Sequence, residues 1–171
     1  LCNAEGLKRL KGDAKRAIKL LSSVVRSSSD RSFEDYKNHL TALAATEAYE
    51  KAGVSPADVD VAEVHDATAM GEIIQVENLQ LVGYGEAGRA AEAGELTIGG
   101  RVPVNPSGGL ESKGHPIGAT GLGQVYELVT QLRGEAGRRQ VEGARIAIQE
   151  NGGGIYGVEE ATAVINIFAM Q

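Results

Sequence analysis

Short apolar runs that suit β-strands alternate along this chain with longer segments whose apolar residues recur at helical spacing. Three clusters of glycine lie between the periodic segments, at residues 83–100, 108–123 and 152–157, and such clusters are typical of loops. Alternating strands and helices predict a layered α/β domain, with chemistry placed at strand ends and in glycine turns. The 171 residues are enough for one domain with a substantial core.

The periodicity predicts five strands and three helices. The strands are predicted at residues 17–26, 59–64, 102–104, 144–149 and 162–170, and the helices at 33–52, 67–82 and 122–132. The first helix should begin after Ser32 as its N-cap and stop at Gly53. The residues predicted to face inward on the second and third helices are Met70, Ile73, Ile74, Leu81, Leu122, Val125, Val129 and Leu132.

Charge and cysteine content narrow the possible functions. The net charge is −6 and the isoelectric point about 5.1, whereas a nucleic-acid binder usually has a basic face, so we expect no nucleic-acid partner. The single cysteine, Cys2, excludes an internal disulfide framework and a cysteine zinc site. Without an apolar run of membrane-spanning length or a signal peptide, a cytoplasmic protein with no membrane partner is expected. The opening residues, which lack Met, suggest a fragment or one half of a split enzyme.

His115 is the first candidate for chemistry, because it stands on a glycine-rich turn directly before a predicted helix. Pro116 favours an extended conformation at the histidine, and Gly114 and Gly118 let backbone approach a ligand closely. An imidazole placed in this way could donate a hydrogen bond to an oxyanion or take a proton from a thiol. The alternative is a histidine that bridges backbone groups of its own loop.

His65 and Asp66 end the second predicted strand, where a histidine could position a water or a carbonyl group. For Asp66 we favour a structural role, as the N-cap of the helix predicted at 67–82. His39 lies inside the first predicted helix and is interpreted as structural. The three histidines, at 39, 65 and 115, do not have the spacing of metal ligands, so no metal site is expected.

Glu150 ends another predicted strand, and three glycines follow one residue later. Successive glycine N–H groups at 152–154 could form an anion-binding nest, or a tight β-turn. Glu150 could act as a base if a ligand lies near; otherwise its carboxylate is solvated. The glycine-rich stretch at 105–121 lacks the Gly-Lys-Ser/Thr order of a phosphate-binding Walker loop.

The run Gly114-His115-Pro116-Ile117-Gly118-Ala119-Thr120-Gly121 resembles the histidine motif of the thiolase superfamily. The preceding residues 103–109 and the sequence Val64-His65-Asp66-Ala67 are similar to the sterol-carrier and lipid-transfer-protein branch of that superfamily, as is the segment 85–100. The resemblance covers nearly all of residues 1–171, but corresponds to the C-terminal domain of such an enzyme, without its N-terminal half.

The resemblance implies one half of a thiolase fold, an α/β domain with a mixed five-stranded sheet and helices on its faces. It also implies roles for individual residues. His115 would activate a cysteine supplied by the missing half and bind the thioester oxygen, while His65 would complete that oxyanion hole. Gly152 would offer its N–H to a second oxyanion, formed when the cysteine attacks. Cys2 does not match the nucleophile motif.

Glu150 departs from the pattern, because ordinary thiolases carry a second cysteine there and lipid-transfer members often a histidine. A carboxyl group could still move a proton if its pKa were raised toward neutrality. The resemblance implies acyl transfer between 3-oxoacyl-CoA or acetyl-CoA thioesters and CoA. A retro-aldolase acting on a CoA thioester, which needs no cysteine nucleophile, and a non-catalytic subunit that binds acyl-CoA are the alternatives.

The same resemblance implies the partners of the chain. Coenzyme A is expected as substrate, with no bound cofactor. A homo-oligomer such as a homodimer is expected, and a small protein with a zinc ribbon and an OB-fold is a further possible partner. Because the nucleophilic cysteine belongs to the missing half, the isolated chain should be inactive.

Overall fold

A four-stranded mixed sheet forms the centre of the computed structural model, which describes residues 2–9 and 16–170. The strands are β1 (Ile18–Ser27), β2 (Val61–Glu63), β3 (Ile146–Gly153) and β4 (Thr162–Met170), in the spatial order β1-β4-β3-β2. The two pairs made by β4 are antiparallel, and β2 runs parallel to β3. The α/β class predicted from the sequence is therefore correct.

Six helices surround the sheet among the described residues. They are α1 (Ala4–Arg9), α2 (Leu40–Ala52), α3 (Ala69–Asn78), α4 (Ala87–Glu92), α5 (Gly109–Lys113) and α6 (Thr120–Leu132). The larger hydrophobic core lies where α2, α3 and α4 pack on one face of the sheet, and a smaller core lies under α6 on the other face. Within the described ranges, no helix is both long and apolar enough to cross a membrane.

The strand predicted at 102–104 is reduced to one isolated bridge, in which Val104 lies parallel to Ala62. Pro103 has no N–H to donate, and Asn105 adopts a positive φ of 50°, which ends the extended conformation. The N–H of Val104 itself donates to the carbonyl oxygen of Leu96. The sheet of the described chain therefore has four strands instead of five.

The first predicted helix begins seven residues later than its pattern indicates, after a short 3₁₀ turn at Tyr36–Asn38. Its N-cap is His39, whose Nδ1 accepts a hydrogen bond from the N–H of Thr41 at 3.2 Å, and not Ser32. The N–H of Leu40 donates to the buried carboxylate of Glu159, so a distant residue fixes the start. The predicted stop is correct, since Gly53 caps the helix in the left-handed region at φ 68°.

The second predicted helix is shorter than its pattern, and the glycine-rich connection that follows it contains α4. Thr68 is the N-cap of α3, because its side chain accepts from the N–H of Gly71; the prediction of Asp66 in that role is wrong. Met70 and Ile74 are exposed, although both were predicted to face the core. Leu122 on α6 is likewise exposed. The expectation of a glycine turn at 152–154 also changes, because β3 extends to Gly153.

Candidate functional site

Three separated chain segments meet at one edge of the sheet: the end of β2, the loop before α6, and β3. The Nε2 atom of His65 lies 3.4 Å from the Nε2 atom of His115, and the two ring centroids are 4.9 Å apart. The backbone N–H of His65 donates to Oε2 of Glu150 at 2.8 Å. The structure thus brings His65, His115 and Glu150 together, although up to 85 residues separate them in sequence.

Thr120, in the first turn of α6, fixes the orientation of the His115 ring. Its Nδ1 lies 2.7 Å from the Thr120 hydroxyl oxygen, which also lies 3.3 Å from the carbonyl oxygen of Pro116. Thr120 is buried, whereas His115 is exposed, so the anchored nitrogen faces the protein and Nε2 faces outward. The ring can therefore present either a proton or a lone pair to a bound molecule, with the threonine hydroxyl serving either tautomer.

His65 is half-buried, and its environment favours the neutral imidazole. Burial lowers the pKa of His65 below its ordinary value of 6.5, and the neighbouring His115 lowers it further, against the opposing charges of Glu160 and Asp66. A neutral ring at pH 7 carries one N–H and one lone pair. Two imidazole nitrogens that converge without a carboxylate between them are suited to donating hydrogen bonds to a single oxygen atom.

Asp66 holds the glycine-rich segment that leads to His115. Its buried carboxylate accepts from the N–H of Leu110 at 2.7 Å and lies 3.5 Å from the N–H of Glu111, at the start of α5. Gly109 lies so close that a Cβ atom there would be 1.9 Å from the Asp66 Oδ2 atom. Asp66 therefore ties the end of β2 to the glycine-rich segment, and that segment needs a glycine at 109.

Glu150 is completely buried, so the alternative of a solvated carboxylate is wrong. Burial raises the pKa of Glu150 from 4.5 to about 8. The hydrogen bond from the His65 N–H lowers this pKa, and the charges of Glu160 and Asp66 raise it. Its Oε1 atom has no hydrogen-bond partner within the described residues, and its backbone carbonyl accepts from the Gln124 side chain. At neutral pH the group is a protonated carboxyl, which can give a proton.

Gly152 lies two residues beyond Glu150 on β3, so the two positions share one face of the strand. The space that a side chain at 152 would fill is occupied by Glu160, since a Cβ there would be 2.7 Å from its Cγ atom. Gly152 therefore leaves room for a second carboxyl group beside the first.

Three polar residues near the histidines, Thr120, Glu160 and Glu63, were not predicted as site residues from the sequence. Glu63 is buried on β2, where its carboxylate accepts from the N–H and the hydroxyl of Ser107 at 3.1 and 2.7 Å. Burial raises the pKa of Glu63 to about 7. A glutamate within the apolar run 61–64 and two residues before His65 was the signal available in the sequence.

The described residues hold no group of three His, Cys, Asp or Glu side chains arranged to bind a metal ion. Cys2 is a free, exposed thiol.

A family model described as "thiolase C-terminal domain-like" matches residues 22–166. Together with the α/β fold, this match shows that the chain belongs to the thiolase C-terminal domain-like family. The resemblance stated from the sequence motifs is confirmed.

Particular relatives extend the comparison. An acetyl-CoA acetyltransferase from Methanothermobacter thermautotrophicus is 51% identical over 75% of this chain and 33% of that protein. Sterol carrier protein 2 from Bos taurus is 54% identical over 63% of the chain and 20% of its own length. The benzoylsuccinyl-CoA thiolase subunit BbsB from Thauera aromatica is 36% identical over 90% of the chain and 40% of its own length. The chain thus spans less than half the length of these proteins.

Among solved structures, a chain of the Ltp2-ChsH2(DUF35) aldolase matches with a TM-score of 0.70. The match covers 87% of this chain and 39% of that one at 22% identity. At that identity, the likeness concerns the fold alone.

Proposed function

We propose that this chain is the half of an acyltransferase that supplies the oxyanion hole and a proton-transfer group for acyl exchange between 3-oxoacyl-CoA or acetyl-CoA and CoA. The observation that carries the proposal is the convergence of the His65 and His115 Nε2 atoms, 3.4 Å apart, together with the buried Glu150 whose carboxyl accepts from the His65 backbone N–H. The names of the relatives, an acetyltransferase and a thiolase subunit, support the same reaction class.

His65 and His115 bind the thioester carbonyl oxygen, whose negative charge grows when the enolate forms. A preorganised donor of this kind lowers a barrier by about 3–4 kcal/mol. Asp66 and Thr120 keep the two rings in place, which removes the cost of orienting them during the reaction.

His115 also takes the proton of a nucleophilic cysteine carried by a companion half. The N–H of Gly152 stabilises the oxyanion that forms when this cysteine attacks. The exposed apolar side chains Leu122 and Tyr126 on α6, 74% and 73% accessible, offer a surface against which such a half can pack.

Glu150 serves as the second acid and base of the cycle. As a protonated carboxyl it gives its proton to the enolate carbon of the departing acetyl-CoA, and the resulting carboxylate takes a proton from the incoming CoA thiol. Its raised pKa suits this exchange near pH 8.

A retro-aldol cleavage of a CoA thioester is the second candidate, and the carboxyl group at 150 favours it because that reaction uses a base and an oxyanion hole without a cysteine. The two are separated by replacing the nucleophilic cysteine of the companion half with alanine. Acyl transfer is then lost, whereas aldol cleavage persists. A non-catalytic acyl-CoA-binding subunit gives neither activity but retains thioester binding.

We further propose that the chain works in the cytoplasm, in a homo-oligomer such as a homodimer. Assembly with a second protein is supported by the two-component name of the aldolase and by the word "subunit" in the name of BbsB. A small zinc-ribbon and OB-fold protein is the partner that we propose.

The decisive assay follows acetoacetyl-CoA cleavage by CoA with the chain alone and with the companion half. We expect turnover only in the combined sample, and a roughly 100- to 1,000-fold loss of kcat for His65→Ala or His115→Ala. Arg89→Ala, a change of an exposed side chain on α4, is the control. Turnover by the chain alone, or unchanged kcat in both histidine variants, contradicts the proposal.

A further inference from the structure

Glu150 has a carboxyl group but no direct contact with water. Its side chain is completely buried, one oxygen accepts from the His65 N–H, and the other has no hydrogen-bond partner in the described part of the chain. When no substrate is bound, a neighbouring titratable group gives an enclosed carboxyl of this kind a route to solvent protons. The structure offers one such neighbour on the same face of β3.

That neighbour is Glu160, whose side chain folds back over Gly152. Its Cδ and Oε1 atoms lie 3.3 Å from the position that a Cβ of Gly152 would occupy. Because residues 150 and 152 project from the same strand face, the Glu160 carboxyl group lies on the side of β3 that carries the Glu150 side chain, and its charge contributes to the raised pKa of Glu150. Glu160 also has a buried oxygen, Oε2, that lacks a hydrogen bond among the described residues, as does Oε1 of Glu150.

Glu160 has a second side that faces a cavity of about 270 Å³. His39, Gln75 and Glu159 form the polar part of the cavity wall with Glu160, and Ile74, Ile155 and Val158 form its exposed apolar rim. The Gln75 amide donates to Glu160 Oε1 at 2.5 Å, and His39 Nε2 lies 3.5 Å from Oε2. The Glu160 side chain is 22% accessible, so it reaches from the enclosed carboxyl at 150 to solvent.

Charged and titratable groups face this pair from several elements. Arg31, in the segment before α2, forms a buried ion pair with Glu159. His39 uses Nδ1 to accept from the α2 backbone, so its Nε2 carries the proton and faces Glu160. From the end of β2, His65 and Asp66 face Glu150.

We propose that Glu160 is a proton relay that connects Glu150 to water in the cavity beside His39. The O–H bond of the Glu160 carboxyl breaks as the new O–H bond on the Glu150 carboxylate forms, and Glu160 then takes a proton from water or a buffer acid. The reverse sequence removes a proton from Glu150. This inference rests on the proposed function for its catalytic meaning, but the relay itself is measurable without turnover.

The first test uses infrared spectroscopy on the full 171-residue chain. The difference between wild type and Glu150→Gln isolates the C=O stretching band of the protonated Glu150, and transfer into D2O measures how fast that band shifts. We expect Glu160→Gln to slow the shift roughly 100-fold, the lower end of what a positioned proton-transfer group contributes. Glu160→Asp, which keeps a carboxyl, should restore much of the rate. Equal rates in wild type and Glu160→Gln overturn the relay.

The second test follows the loss of the methyl protons of acetyl-CoA into D2O at pH 8 by proton NMR, with the companion half present. Without the relay, Glu150 returns the same proton that it removed, so Glu160→Gln should slow washout by roughly 100-fold. Glu92→Gln, on the exposed side of α4, is the matched control. Washout at the wild-type rate in Glu160→Gln refutes the relay. If wild type shows no washout while the infrared shift still depends on Glu160, the proposed function fails and the relay stands.

Discussion

Replacing Glu150 with glutamine should change how the stability of the protein depends on pH. Glutamine keeps the size of the side chain and an oxygen that can accept from the His65 N–H, but it cannot ionise. Burial raises the pKa of Glu150 to about 8 in the folded chain, from an ordinary value of 4.5. The folded state therefore holds a proton that the unfolded state has released over the whole interval between these values.

The sign and size of the effect follow from this difference. Between pH 4.5 and 8 the folded state binds one more proton than the unfolded state, so stability falls as pH rises, by about 1.4 kcal/mol per pH unit. Above pH 8 both states are ionised and the dependence levels off. From pH 5 to pH 8 the wild type should lose about 3.5 kcal/mol through this one group, slightly less than the full slope over the interval because the group is partly titrated near each pKa, and Glu150→Gln should lose none of it.

Urea unfolding at pH 5, 6, 7 and 8 measures the free energy of unfolding for both proteins. The quantity compared is the change in the mutational difference between pH 5 and pH 8, because any fixed cost of burying the amide cancels from it. Glu92→Gln alters an exposed carboxylate on α4 and should give a curve parallel to that of the wild type. Parallel curves for Glu150→Gln as well would show that Glu150 is ionised in the folded protein, and the argument for its burial would be wrong.

Two further substitutions test the support of the site. Gly109→Ala places a Cβ 1.9 Å from Asp66 Oδ2 at a φ of 61°, and thermal unfolding should show a loss of at least about 2 kcal/mol in the free energy of unfolding. The control Gly134→Ala, at φ 71° with no atom within 4 Å, should lose only about 1 kcal/mol. Equal losses would contradict the steric account. Thr120→Val removes the hydroxyl 2.7 Å from His115 Nδ1 and should lower kcat about tenfold with little change in KM, so an unchanged kcat would show that the ring needs no support.

Local sequence signals predicted the elements whose ends depend on neighbouring residues. The strand at 162–170 and the end of α2 at Gly53 lie where the pattern places them. The histidine motif at 114–121 also identified the family, because its glycines and proline are local requirements of the turn.

Signals that depend on the folded chain were missed for physical reasons. The start of α2 depends on Glu159, which accepts from the Leu40 N–H across 119 residues, and its N-cap is a histidine, which is not among the residues that usually cap a helix. Asp66 accepts from the N–H of Leu110 in the first turn of α5 and does not cap the helix that follows it in sequence, because the fold brings Leu110 against its carboxylate. Helical spacing likewise marked Met70 as a core residue, although it lies on the surface of the described chain.

Only some residues of the candidate site could be predicted from the sequence. His65, His115, Glu150 and Gly152 could be chosen from strand ends, glycine turns and a familiar motif. The enclosure of Glu150 could not, because burial depends on how β2, β3 and the segment after Gly154 pack together. Glu160 carried no signal, since a carboxylate in a loop after a glycine turn usually faces water.

The pairing of β1 with β4 bears on how the chain acquires its shape during synthesis. Ile18 lies opposite Met170, so the earliest strand finds its neighbour only after nearly every other described residue has left the ribosome. Until then the β1 edge that pairs with β4 is open to other nascent chains, and the closing contact spans almost all of the described residues, which slows folding. We therefore expect chaperone dependence during translation to be concentrated in the segment around β1.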